Sequence, residues 1–133
     1  MILSIDEVHD ILDAQAETLP EALFGGLNGG VCLLEDTVPD TEFPDGEMFI
    51  LGEYCDGCLG RYINLYYGSF AALAEREQWD RAAWEKELRT TLSHELTHHI
   101  EGLSGLHGLD DRDEAELEEA RAWFREQRTD ASE

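Results

Sequence analysis

Apolar residues fall at every fourth position from residue 84 to residue 100: Trp84, Leu88, Leu92, Leu96 and Ile100. That spacing makes one stripe of an α-helix and fits no strand, whose period is two. Asp80 stands ahead of the stripe as an N-cap. The pattern therefore predicts a helix from Asp80 to about Ile100, roughly 30 Å long, that Gly102 is expected to stop. Shorter elements have to pack against it.

Those elements can be read along the chain. Ile5, Val8, Ile11, Leu12 and Ala16 repeat at helical spacing, and Ser4 with Glu7 forms a capping box, so residues 4–18 are expected to be helical. Gly25-Gly26 and Gly29-Gly30 mark turns. Residues 31–34 and 48–51 read as short apolar strands, and residues 35–46, with Pro39, Pro44, Asp45 and Gly46, as an exposed loop. Residues 54–60 look turn-like. The aromatic and β-branched run 61–67 predicts a third strand. Ser69 is expected to cap a short helix through Glu77. After a glycine-rich loop at 102–108, a last helix is expected at about 111–127, burying Leu117, Ala120, Trp123 and Phe124, with a frayed tail after Arg128.

The 133 residues suit one domain, and 42% hydrophobic content suffices for a core. The formal charge of −22 argues against nucleic acid and anionic membrane as partners, because both carry the same sign. Lys86 is the one lysine among nine bases. No apolar run reaches membrane-spanning length. The first twenty residues lack a basic segment and carry Asp6, Glu7 and Asp10, unlike a secretory signal. A cytoplasmic location is the expectation. Three cysteines do not make a closed disulfide framework.

The long helix carries His94-Glu95-Leu96-Thr97-His98, the pattern H-E-x-x-H. Residues four apart share a helix face, so both imidazoles can reach one metal ion. Imidazole suits zinc, which takes tetrahedral nitrogen and oxygen ligands. Glu95 leaves the helix beside that point, where it can act as general base toward a water acidified by the metal. A third ligand is needed. Side chains at i, i+4 and i+7 of a straight helix spread along its axis, which disfavours Glu101. Residues beyond Gly102 are better placed: His107, Asp110, Asp111 or Asp113, with an aspartate favoured. Acids also suit the start of the last helix for electrostatic reasons alone. His99 is expected to point away from the metal, toward the sheet or a second-layer partner.

Three stretches together resemble the small zincin-like minimal metallopeptidases of bacteria, related to the Asp-zincins. They are HELTHHIEGLSGL at 94–106, MFILGEY at 48–54 followed by GRYINLYYGSF at 60–70, and the LNGG turn at 27–30. The resemblance implies an α+β zincin-like fold, with a small mixed sheet packed on the metal helix. It also implies His94 and His98 as ligands of one Zn²⁺ and Glu95 as catalytic base. The Asp-zincin pattern continues H-x-x-G-x-x-D. Counted from His98, this chain has Glu101 at the glycine position and Ser104 at the aspartate position. Its third ligand is therefore displaced, among Asp110, Asp111 and Asp113.

Cys55 and Cys58 form a C-x-x-C pair, with Cys32 the one other cysteine. An incidental pair in a turn is the favoured reading, beside a redox pair or half of a structural zinc site. The expected activity is zinc-dependent hydrolysis of peptide bonds in peptides or unfolded segments. The alternative is a non-catalytic zinc-binding module that retains the fold, and acidic metal buffering is a third. Glu95 discriminates, since a binding module has no use for a base there.

Overall fold

The computed structural model describes residues 1–43, 47–106, 109 and 111–131, with side chains to residue 128. The elements, in chain order, are α1 (Ile5–Glu17), a short 3₁₀ turn (Glu21–Phe24), β1 (Gly30–Leu34), β2 (Gly52–Gly57), β3 (Gly60–Tyr66), α2 (Tyr67–Glu77), α3 (Arg81–Ser104) and α4 (Asp111–Ala131). The protein is α+β, with four helices and a three-stranded mixed sheet among the described residues.

α1 begins where its capping box places it. The Ser4 hydroxyl accepts from the Glu7 N–H at 3.1 Å, and the Glu7 carboxylate accepts from the Ser4 N–H at 3.1 Å. Asp80 caps α3 by accepting from the Ala83 N–H at 2.8 Å. All five residues of the α3 stripe are buried, with Trp84, Leu88 and Leu96 fully so. Truncating any of these leucines to alanine removes a well-packed side chain, at a cost of about 2–5 kcal/mol.

The sheet runs β1-β3-β2. β3 is central, parallel to β1 and antiparallel to β2. Its Ile63 and Leu65 are fully buried on the face that meets α3. The opposite face carries Cys32, Glu53, Cys55, Tyr62 and Asn64, by strand alternation from the same register. α1 packs on the N-terminal half of α3, where the Gln15 side chain donates to the Glu85 carbonyl at 2.8 Å. α4 packs against α3 and the 3₁₀ turn.

Four local expectations are corrected. Residues 48–51 are not a strand. Phe49 makes one isolated bridge with Pro39, and proline has no N–H with which to extend a ladder. The second strand is instead Gly52–Gly57, inside the stretch read as turn-like; its Gly, Asp and Cys residues are poor strand formers, but pairing with β3 overrides them. The turn proper is Cys58-Leu59, closed by Gly60 at φ +107°, a conformation that favours glycine. Ser69 does not cap α2. It is fully buried in the first turn, where its hydroxyl accepts from the Val38 N–H at 2.8 Å. Finally, Gly102 does not stop α3, which runs to Ser104 with Gly105 as C-cap. α4 runs to Ala131.

Gly68 is required by close approach. A Cβ there would stand 2.1 Å from the Thr37 hydroxyl and 2.7–2.8 Å from the Glu35 and Asp36 carbonyl oxygens. The chain leaving β1 thus crosses directly over the start of α2. Among the described residues, no helix is long and apolar enough to cross a membrane.

Candidate functional site

His94 and His98 both lie on the exposed face of α3. Their Nε2 atoms are 3.1 Å apart, and their rings meet nearly edge-to-face at a centroid distance of 4.5 Å. Without a metal, one ring donates its Nε2–H to the other. Two nitrogens each about 2.0–2.1 Å from a tetrahedral zinc stand roughly 3.3 Å apart, so the observed separation fits a shared metal with a few tenths of an ångström of adjustment. The Glu101 carboxylate lies 3.7 Å from His98 Nδ1. That separation is longer than a hydrogen bond.

Glu95 sits one residue round the helix and is only 6% exposed. Burial pushes its carboxyl above the usual range. The His94 and His98 rings and the Tyr54 backbone N–H pull the other way, and the Glu53 carboxylate adds to the upward push. Glu53 is held on β2 by the Tyr66 hydroxyl, which donates to it at 2.9 Å.

His99 is fully buried. Its Nε2 meets the Gly25 carbonyl oxygen at 2.8 Å, and its Nδ1 meets the Tyr54 hydroxyl at 3.0 Å. Burial lowers its pKa, so the ring is neutral. A carbonyl can only accept, so Nε2 carries the proton and Nδ1 accepts from the tyrosine. The expectation that His99 points toward the sheet is met, since its partner Tyr54 lies on β2. The residue that sequence reasoning missed is Tyr54. It links the two halves of the site, its backbone beside Glu95 and its hydroxyl on His99. Its place in a stretch of glycines and acids hid it.

Asp111 and Asp113 are exposed in the first turn of α4. Neither they nor Glu101 join both histidines in a group whose ligand atoms lie within 4.8 Å of one another; among the described residues the trio meeting that condition is His9, Asp10 and Asp13, exposed on α1. Asp110 and His107 lie outside the described residues.

All three cysteines are free. Cys55 is in β2 and Cys58 in the hairpin turn, so their Cα atoms are separated by roughly 9–10 Å of extended chain, beyond disulfide range. Cys32 is two strands away from Cys55, across β3.

Fold and site together define a small α+β protein whose longest helix presents a histidine pair and a buried glutamate beside a sheet. The chain belongs to the same family as a solved protein described as a conserved hypothetical protein from Thermo thermophilus. The two are 34% identical, with a TM-score of 0.66, over 77% of this chain and 98% of that one. No family model matches the chain, and no curated protein matches it.

Proposed function

We propose that this chain is a zinc-dependent metallopeptidase of zincin-like fold, with His94 and His98 as metal ligands and Glu95 as general base. The observation that carries the reading is the approach of the two Nε2 atoms to 3.1 Å on an exposed helix face beside a buried carboxyl of raised pKa. One zinc there would supply Lewis-acid charge and acidify a water molecule. Glu95 takes up a proton at its carboxylate and returns it to the leaving amine. A carboxyl whose pKa burial raises is the better proton carrier for both transfers.

β2 supports a peptide as substrate. It pairs with β3 on one side, lies at the end of the sheet, and passes Glu95 at Tyr54. An extended peptide added along such an edge gains backbone hydrogen bonds without demanding a deep cleft. The open helix face suits peptides or unfolded segments.

The test is metal content of the purified protein beside His98→Ala, followed by peptide hydrolysis by Glu95→Gln. The expected result is near-stoichiometric zinc lost in His98→Ala, and zinc retained with hydrolysis abolished in Glu95→Gln. A chain that takes up no zinc on titration sinks the proposal. A second reading, a zinc-binding module without catalysis, is favoured by one observation: no described carboxylate completes a triad with the two histidines. Zinc binding with no hydrolysis by the parent protein across a diverse peptide pool would select it.

A further inference from the structure

A second concave site lies on the other side of His99. The 3₁₀ turn, the last turn of α3 and the start of α4 enclose a cavity of about 120 Å³. Leu103, Leu117 and Ala22 supply apolar wall, and Arg61, Asp113 and Glu116 supply charge. His94, Glu95 and His98 take no part in its lining.

Arg61 and Glu116 do not pair with each other. Arg61 is 27% exposed, and its Nε is buried without a hydrogen-bond partner. Its ion pair among the described residues is a long one, 3.6 Å to Asp56. Glu116 is half-buried and makes no ion pair or hydrogen bond among the described residues. Its carboxylate reaches the cavity wall because Gly25 has no side chain; a Cβ there would stand 2.9 Å from Glu116 Oε2. An unpaired half-buried carboxylate and a guanidinium with a bare buried N–H thus share one small cavity and remain more than 4.0 Å from each other. Half-buried charges ordinarily find partners, because desolvation without compensation is costly.

We infer that this cavity binds a free aliphatic α-amino acid, with its carboxylate on Arg61, its ammonium on Glu116 and its side chain against Leu103, Leu117 and Ala22. A zwitterion is the ligand class that satisfies both charges at once. An anion alone would face Glu116 and Asp113, and a cation alone would face Arg61. The volume is well below the roughly 300 Å³ at which drug-sized sites begin, which limits the occupant to a molecule about the size of a single amino acid. The site is coupled to the histidine helix through Gly25, whose carbonyl accepts from His99 Nε2. The inference is independent of the metallopeptidase reading.

The test is calorimetric titration of the full chain with L-leucine, beside L-leucinamide and 4-methylpentanoate, which each lack one of the two charges. Saturable leucine binding is expected, with amide shift changes at Gly25, Gly26 and Arg61 in the NMR spectrum. Either analogue, Glu116→Gln or Arg61→Gln should weaken it at least about tenfold, while His98→Ala leaves it unchanged. Glu116→Gln keeps the size of the side chain, and its circular dichroism spectrum should match the parent. Three outcomes overturn the inference: no saturation at on the order of 10 mM leucine, equal binding by Glu116→Gln, or loss of binding in His98→Ala, which would place the amino acid on the metal-binding face.

Discussion

Replacing His99 by phenylalanine tests the neutral-imidazole bridge that ties α3 to the rest of the site. The substitution keeps an aromatic ring of similar size in a fully buried position and removes both nitrogens. Two partners are left behind, the Gly25 carbonyl at 2.8 Å and the Tyr54 hydroxyl at 3.0 Å. A buried group without a partner costs about 1–3 kcal/mol. Tyr54 is half-buried and can turn its hydroxyl toward water, so its share lies near the lower bound. The sum is about 2–4 kcal/mol. Unfolding entropy of about 2.1 cal/mol/K per residue, over this chain, is roughly 0.28 kcal/mol/K, so Tm should fall by about 7–14 °C.

Tyr54→Phe is the matched control. It removes one hydroxyl and leaves His99 Nδ1 unpaired, for about 1 kcal/mol or about 4 °C. Calorimetry and urea unfolding of both single variants and the double variant complete a cycle. A coupling of about 0.5 kcal/mol or more is expected for residues in direct contact. If His99→Phe is as stable as the parent, or the cycle shows no coupling, the bridge does not hold these elements together and the tautomer argument fails with it.

Other consequences are simpler to check. Gly68→Ala should lower stability by about 1–3 kcal/mol in chemical denaturation, since its Cβ collides with two backbone carbonyls and the Thr37 hydroxyl. Ser4→Ala breaks the α1 capping box and should cost about 1 kcal/mol by the same assay. Zinc at about 100 times its dissociation constant should add about 2.7 kcal/mol, raising Tm by about 10 °C in the parent and not in His98→Ala. The Arg125 guanidinium, 2.7 Å away, holds the Glu118 carboxyl below its ordinary value. That contribution is therefore present above the unfolded carboxyl pKa and is lost as pH falls through the folded one, so Glu118→Gln should destabilise at pH 7 and make no difference at about pH 2.

The parts of the fold that are legible in the sequence are those fixed by local chemistry. The α3 stripe, the Ser4-Glu7 box and the Asp80 cap depend on residues three or four apart, and each is found where its spacing puts it. β3 is legible too, because Ile63 and Leu65 in an aromatic setting suit a central strand. β2 is not, since its Gly, Asp and Cys residues are poor strand formers and take that shape through long-range pairing. The same limit hides Tyr54. Its importance comes from His99, 45 residues away, and no local pattern reports a partner at that distance. The histidine pair needs four residues of spacing and is read directly, whereas the Arg61–Glu116 cavity unites four separate elements.

A third ligand for the proposed centre is illegible in the sequence for a definable reason. In H-x-x-G-x-x-D a glycine stands where a helix commonly ends, ahead of the aspartate. Here Glu101 occupies the glycine position, and α3 passes through Gly102 to Ser104 without a break. Ser104, at the aspartate position, is spent on the helix itself. Its hydroxyl donates to the Ile100 carbonyl at 2.8 Å and accepts from Arg121 of α4 at 3.2 Å. Helical geometry carries each further residue about 1.5 Å along the axis, so the extra turn moves the chain away from His94 before Gly105 releases it. A carboxylate that completes the proposed centre has to return from beyond Gly105. Asp111 and Asp113 form no close ligand group with the pair, so Asp110, just before that helix in sequence, is the aspartate to change first. Asp110→Asn should weaken zinc binding sharply while Asp111→Asn and Asp113→Asn do not. If all three variants bind zinc as the parent does, the ligand set is the two histidines completed by water or by a group outside the aspartates.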